Sequence, residues 1–358
     1  ELMVDKETAN RVKSFCRSLS EFFELKGIFR DERDFLVKCR PFFSLVEPRE
    51  FISQKAEAHD FTVKIEDAGE DLLVTLRSYH PVAKPEKTIP WLNVILFVAT
   101  VISTMLVGAM MEGYNPLNGL DILKGGSFSV AILGILLCHE FGHYVVSRKN
   151  KVKVSLPYFI PAPTIIGTMG AVIKSSSPFR NRRQLLEVGV AGPIAGFVVT
   201  IIVIIIGLGN SEVVPAVEEQ MGIYLGDSLL FKFLTWLVVG NIAEGHTVYL
   251  DSVAFAGWVG LFVTMLNLLP IGQLDGGHIG YALFGKAQQL IAKLIWVGLI
   301  VLGFFWPGWF VWALLILLLK TTHPPTLNDT TPLTKTHFAL GIISYIIFII
   351  CFIPIPFS

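Results

Sequence analysis

Residues 127–147 read SFSVAILGILLCHEFGHYVVS, an apolar run with two histidines and a glutamate in its last third. A run of about 20 apolar residues is long enough to cross the hydrocarbon core of a bilayer as a helix. Ionisable side chains inside such a helix cost a few kcal/mol each and are functional by default. His139, Glu140 and His143 therefore need a shared reason for their position, and a bound metal ion supplies one.

The spacing of these three residues favours one metal over others. Residues four apart lie on one face of a helix, so both imidazoles can reach a single ion. His-Glu-x-x-His on a helix is typical of zinc hydrolases in which the Glu acts as general base. Chance would produce this five-residue match in about one chain of this length in a hundred, so a purely structural reading is weak.

Apolar runs elsewhere predict a membrane all-α fold, a polytopic bundle of six to seven transmembrane helices. The six runs predicted firmly are 91–111, 127–147, 188–208, 252–269, 288–305 and 338–353, and 309–319 is the seventh. Four prolines between residues 152 and 178 argue against a helix there. A re-entrant β-hairpin around 167–173 is predicted instead, because irregular backbone at membrane depth is tolerated only against protein or a wet cavity. A plain cytoplasmic loop is the alternative.

Charge is concentrated at the start of the chain. Residues 1–89 hold 15 of the 29 basic and 17 of the 29 acidic residues. We predict a soluble cytoplasmic α+β domain with its linker at 1–89 and a transmembrane domain at 90–358. Helices at 5–25 and 47–58, a hairpin of 61–65 with 72–76 and a proline linker at 81–90 are expected. The net charge of zero gives no electrostatic case for a nucleic-acid partner.

Basic residues also set the predicted orientation. Lys and Arg mark the cytoplasmic side in short loops. Eight of them follow the second run: Arg148, Lys149, Lys151, Lys153, Lys174, Arg180, Arg182 and Arg183. The loops at 112–126 and 209–251 hold one each. The N-terminal domain and the opening of the active site are therefore expected on the cytoplasmic side, and 209–251 outside. No signal peptide is predicted at the start.

A third metal ligand is expected on a later run. A catalytic zinc ion has three protein ligands and one open position. The segment NLLPIGQLDGGH at 267–278 ends the run that begins at Ser252, and it offers Asp275 and His278. That run crosses in the same direction as 127–147, so both candidates lie at the depth of His139.

Together these motifs resemble the site-2 protease family of intramembrane zinc metalloproteases, peptidase family M50. His-Glu-x-x-His on one run, followed by Asn-x-x-Pro and Leu-Asp-Gly on a later one, is similar to the paired motif of that family. The segments LPYFIP at 156–161, GTMGA at 167–171 and AGPIAG at 191–196 resemble its archaeal and chloroplast-type branch. The resemblance covers about residues 90–330 and is weak over 1–80.

This resemblance implies Zn²⁺ as cofactor, transmembrane proteins within the lipid bilayer as substrates, and regulated intramembrane proteolysis as function. It implies that His139, His143 and Asp275 bind zinc and that Glu140 is the catalytic base. His278 stays the second choice for third ligand, on its position in the sequence. Substrate contacts are expected from the residues Asn267, Pro270, Gly167 and Gly170. No oligomeric state is predicted.

Competing interpretations make different demands on the sequence. A transporter would be expected to show internal repeats or polar residues spread over several helices. A membrane zinc protease of the CAAX-processing type would take a distant Glu as third ligand. A catalytically dead scaffold is disfavoured because Glu140 is intact. The four cysteines show no C-x-x-C pair, so neither a disulfide framework nor a thiolate zinc site is predicted.

Overall fold

The structure of the chain is a computed structural model. It describes residues 6–31, 34–42, 48–78, 90–175, 178–216, 224–318, 321 and 323–357. The chain divides into two compact units. The first unit contains Glu1–Val82, Pro178–Arg183 and Pro325–Leu333, and the second contains Ala83–Ser177, Gln184–Pro324 and Thr334–Ser358. The predicted division into 1–89 and 90–358 stays a prediction.

The first unit has helices and an antiparallel sheet. Its elements are α1 (Lys6–Leu19), β1 (Phe23–Asp31), β2 (Asp34–Pro41), α2 (Pro48–Ala58), β3 (Phe61–Ala68) and β4 (Asp71–Ser78). The strand order is β1-β2-β4-β3, and every neighbouring pair is antiparallel. Phe15 and Leu19 of α1 pack with Val37 and Val74 of the sheet in one buried apolar cluster. This is an α+β arrangement, as the sequence predicts.

Local predictions for this unit have mixed outcomes. The hairpin of 61–65 with 72–76 is confirmed by the pairing of β3 with β4, and the helix at 47–58 is confirmed by α2. The helix predicted over 5–25 is wrong beyond Leu19, because the chain enters β1 at Phe23. Phe23 is the first residue of β1, pairs with Pro41 of β2 and is fully buried in the apolar cluster, so its apolar character belongs to a strand rather than to a continued helix.

A buried carboxylate ties three strands of this sheet together. Asp71 on β4 accepts hydrogen bonds from Lys26 Nζ and Arg40 Nε, each at 2.8 Å, and pairs with Lys38 Nζ at 3.2 Å. These contacts, led by Lys26 and then Arg40, hold the pKa of Asp71 well below its usual range. The carboxylate is therefore charged at neutral pH, and the three cations on β1 and β2 compensate it.

The second unit is mostly helical. Its helices are α3 (Pro90–Met111), α4 (Gly126–Lys149), α5 (Arg182–Asn210), α6 (Leu229–Val238), α7 (Ser252–Asn267), α8 (Asp275–Phe284), α9 (Gln288–Gly303), α10 (Gly308–Leu318) and α11 (Lys335–Cys351). Within the described residues, four helical stretches are long and apolar enough to cross a membrane: Trp91–Met111, Gly119–Lys149, Arg182–Asn210 and Asp275–Gly303. The chain is therefore a helical membrane protein by length and composition.

The predicted runs are all helical, but three of them are short. The runs at 252–269, 309–319 and 338–353 correspond to α7, α10 and α11, which have 16, 11 and 17 residues. The run at 288–305 is the second half of Asp275–Gly303. The region 209–251, predicted as a loop, contains α6 and a hairpin of β7 (Glu212–Pro215) with β8 (His246–Tyr249). The proline linker predicted at 81–90 lies outside the described residues, except for Pro90, which begins α3.

The proline-rich segment contains a β-hairpin. β5 (Tyr158–Pro161) pairs antiparallel with β6 (Thr168–Val172). β5 lies along α3, where Asn93 Nδ2 donates to the carbonyls of Leu156 and Pro157 at 3.1 and 2.8 Å. The rings of Phe97 and Phe159 are 5.1 Å apart in an edge contact. β6 contacts α4, the helix that carries His139 and His143.

Candidate metal centre

Two ligand candidates lie one helical turn apart on α4. His139 and His143 are four residues apart, so their rings lie on one face of the helix, in an edge contact with centroids 4.9 Å apart and planes at 70°. The Nε2 atoms of the two rings are 3.2 Å from each other. His139 and Glu140 are 6% and 7% exposed, so these polar side chains of an apolar helix are buried within the protein.

The third candidate arrives on a turn between two helices. α7 ends at Asn267, three residues before Pro270, and α8 begins at Asp275. Proline disfavours helical backbone in the residue before it, which explains why α7 stops there. Asp275 Oδ2 lies 3.3 Å from His139 Nε2 and 3.2 Å from His143 Nε2.

The donor set fits a zinc ion. Two imidazole nitrogens and one carboxylate oxygen are the ligand types of catalytic zinc sites, which keep a fourth position open. In a tetrahedron with bonds of about 2.0 Å, neighbouring ligand atoms are about 3.3 Å apart. The three separations in this cluster are 3.2, 3.2 and 3.3 Å. His139, His143 and Asp275 form the only group of metal-ligand type found among the described residues.

α5 supplies the space and one hydrogen bond that hold the two rings. The Val188 carbonyl accepts a hydrogen bond from His143 Nδ1 at 2.9 Å, which leaves Nε2 for a metal. A Cβ at Gly192 would lie 2.1 Å from His143 Nε2, and one at Gly196 would lie 3.1 Å from His139 Cβ. The sequence suggests close helix packing for these glycines, and the packing partners are the two histidines themselves.

The two glycines after Asp275 allow the turn to close. A Cβ at Gly276 would lie 2.0 Å from the Leu268 carbonyl oxygen, and one at Gly277 would lie 2.3 Å from that of Gly272. Tyr345 on α11 donates its hydroxyl to the Gly276 carbonyl at 2.9 Å. The first turn of α8 is therefore packed directly on the backbone that precedes it, and this packing presents Asp275 to the histidines.

Other predicted site residues lie at different distances from this cluster. Asn267 Nδ2 is 3.4 Å from His139 Nε2, so its amide borders the cluster. The Pro270 carbonyl accepts from Gln288 Nε2 at 3.3 Å, which places Pro270 in the turn. A Cβ at Gly167 would lie 2.7 Å from the Ser103 carbonyl oxygen on α3, whereas Gly170 has open space at that position.

His278, the second choice for third ligand, makes a different contact. Its Nδ1 is 2.7 Å from Nε2 of His323. The sequence singles out neither this pair nor Tyr345 and Val188 as supports of the centre. Only the spacing of Gly192 and Gly196 is visible in the sequence, and it does not name a partner.

The profile of Peptidase family M50 matches residues 127–304, a range that holds all three ligand candidates. The chain belongs to this family, the site-2 protease family. The third residue of the cluster is Asp275. The CAAX-processing type of membrane protease, the alternative considered from the sequence, would have a Glu at this position. His323 and Tyr345 lie beyond the matched range.

Several curated plant proteins are similar to this M50 chain. The probable zinc metalloprotease EGY1, chloroplastic, of Arabidopsis thaliana is 33% identical over 232 residues, which are 63% of this chain and 42% of that protein. The probable zinc metalloprotease EGY2, chloroplastic, of Oryza sativa subsp. indica is 27% identical over 292 residues, which are 76% of this chain and 52% of that protein. The chain thus spans about half the length of these relatives. No solved structure matches it.

Proposed function

We propose that this chain is an intramembrane zinc metalloprotease that hydrolyses peptide bonds within or next to transmembrane segments of other proteins. The observation that carries the proposal is the cluster of His139 Nε2, His143 Nε2 and Asp275 Oδ2, whose separations of 3.2 to 3.3 Å match those of zinc ligands. Membership of family M50 and relatives named as probable zinc metalloproteases support it.

In this proposal the three clustered residues hold Zn²⁺ and Glu140 moves the proton. When bound, zinc lowers the pKa of water and polarises a carbonyl. Glu140 accepts the proton of the attacking water and passes it to the leaving amine as the peptide bond breaks. The Asn267 amide, which borders His139, donates a hydrogen bond to the substrate carbonyl as negative charge develops on its oxygen.

The substrate is expected to bind in an extended form. A transmembrane helix shields its own carbonyl groups, so it must unwind before cleavage. The β5–β6 hairpin is proposed to be re-entrant and to offer a strand edge to this peptide. Its contact with α4 and the open space beside Gly170 support this role. Pro270 and Gly167 contribute by shaping the turn and the hairpin, respectively.

The membrane arrangement of the protein is also a proposal. It has six to seven transmembrane helices in residues 90–358 and a cytoplasmic domain in 1–89, with the active site open to the cytoplasm. The basic residues in the last turn of α4 and in the segment after it support this orientation. A cysteine placed at Phe141 should react faster with an impermeant reagent added from the cytoplasmic side, and the opposite asymmetry would invert the topology.

The test of the activity compares two variants of the full chain reconstituted with a single-span substrate. Glu140→Gln keeps its size but cannot accept the proton, so we expect normal zinc content and a loss of turnover of about 100-fold or more. His139→Ala should lose zinc as well as turnover. Zinc is measured by elemental analysis and cleavage by gel. Near-normal turnover of the Gln variant would contradict the hydrolytic function.

A further inference from the structure

We infer that the His323 segment, defined as Thr321, His323 and Pro324, is a positioning element that fixes the Asp275 turn against the metal centre. The inference rests on the proposed function. It joins two motifs that the proposed mechanism leaves without a role, the His278 that follows Asp-Gly-Gly and the His-Pro-Pro sequence that begins at His323.

The hydrogen bonds between these motifs run in one direction. His323 Nδ1 lies 2.5 Å from the Pro324 carbonyl oxygen, which can only accept, so this nitrogen carries the proton. In a neutral ring Nε2 is then an acceptor, and His278 Nδ1 donates to it at 2.7 Å. The His278 ring is thereby directed towards His323.

The same segment also holds the turn on the other side of Asp275. The Gly272 N–H donates to the Thr321 carbonyl at 3.0 Å. Gly272 precedes Asp275 by three residues and His278 follows it by three, so the segment bonds the chain on both sides of the ligand. The ring of His323 also stacks on that of Tyr281, with centroids 4.8 Å apart and planes 25° apart.

These contacts make His323 a positioning residue for zinc binding. His323 is 6% exposed, so its ring is fixed by packing as well as by hydrogen bonds. Outer partners of metal ligands typically contribute about 10- to 100-fold to metal affinity. His323 acts one step further out, through the backbone of the ligand, so we expect an effect at the low end of that range.

The experiment measures zinc affinity of the full chain in nanodiscs by competition with a chromophoric chelator. His323→Leu should weaken zinc binding about 10-fold, because His278 loses its acceptor and the turn is released. His323→Gln keeps an acceptor and a donor and should bind within about threefold of the wild type. If the Leu variant does not fold, His323→Asn, whose amide is too short to reach, replaces it in the comparison.

A double variant separates positioning from general destabilisation. His278→Leu combined with His323→Leu removes donor and acceptor together, so its loss should not exceed that of His323→Leu alone. Folding of the metal-free variants is followed by thermal unfolding, and exposed His246→Leu is the control. Wild-type zinc affinity in a folded Leu variant, or equal losses for Leu and Gln, would overturn the inference. A wild-type chain that binds no zinc would instead overturn the proposed function.

Discussion

Two regions deliver ligand atoms to the same centre by different means. On α4, a regular helix brings His139 and His143 together, because four residues make about one turn. Between α7 and α8, the chain leaves one helix at Asn267 and starts another at Asp275, with Pro270 in the turn. The two ligands on the helix need space and one hydrogen bond, from His143 to the Val188 carbonyl, whereas the turn needs contacts with backbone, α11 and the His323 segment.

This difference predicts two kinds of sensitivity to substitution. Around α4, the critical neighbours are residues without side chains, and the damage comes from adding atoms. Around the turn, Gly276 and Gly277 are crowded as well, but hydrogen-bonding groups provide a second kind of support, and removing them also causes damage. A steric change on the helix side should therefore have an all-or-none effect, while changes on the turn side should be graded.

The largest effect is expected from Gly192→Ala. Its Cβ would lie 2.1 Å from His143 Nε2, so the ring must leave the position in which it meets the other ligands. We expect loss of stoichiometric zinc and of cleavage. Gly209→Ala on the same helix is the matched control, because a Cβ there has no neighbour within 4 Å. Zinc retained at wild-type levels in the Gly192 variant would contradict the claim that the ligands on α4 depend on free space at this glycine.

Next in size is Asp275→Asn, which removes the charged ligand of the turn but keeps its shape. Loss of a ligand should exceed the cost of losing an outer partner, so zinc affinity should fall by more than about 100-fold. In His278→Asn the zinc affinity should fall by no more than about 10-fold, because Nδ1 of His278 is hydrogen-bonded to His323. Chelator competition measures both. The reverse order would make His278 the third ligand.

The two regions also differ in how far the sequence predicts them. The His139–His143 pair follows from local spacing, since a helix places residues four apart on one face. The direction of the spans narrows the third ligand to Asp275 or His278, and the family resemblance selects Asp275, whose Oδ2 lies 3.3 and 3.2 Å from the two histidine Nε2 atoms. The contact of His278 with His323, 45 residues away, has no local pattern. Supports such as Tyr345 depend on tertiary packing and have no local pattern.

The sequence likewise predicts part of the fold and misses the rest. Long apolar runs identify the helices of the second unit, because membrane thickness demands them. α6 is missed because its ten residues lie in a region with acidic and glycine residues on both sides. β1 is missed because the apolar pattern of α1 continues into Phe22 and Phe23, and only the pairing of Phe23 with Pro41 of β2 distinguishes the strand from a longer helix.

A third prediction concerns Asn267, the last residue of α7, which lies beside His139 of α4. Asn267→Ala removes the amide that lies 3.4 Å from His139 Nε2 but no member of the ligand cluster. We expect zinc content to be unchanged and kcat/KM to fall about 100-fold, as for loss of one oxyanion donor. Steady-state kinetics on the reconstituted substrate give this ratio. A loss of zinc equal to that of Asp275→Asn would assign Asn267 to the metal instead.

The smallest effect is expected from Tyr345→Phe, which removes one of several supports of the turn. The Tyr345 hydroxyl donates to the Gly276 carbonyl at 2.9 Å, and Phe keeps the ring while leaving that carbonyl without this donor. A single hydrogen bond contributes about 1 kcal/mol, so zinc affinity should fall no more than about fivefold. Exposed Tyr249→Phe is the control, and chelator competition is the measurement.

If the supports of the turn contribute independently, Tyr345→Phe combined with His323→Leu should weaken zinc binding by about the product of the two separate losses. A single loss from Tyr345→Phe as large as that from Asp275→Asn would mean that the turn responds in an all-or-none way, like α4.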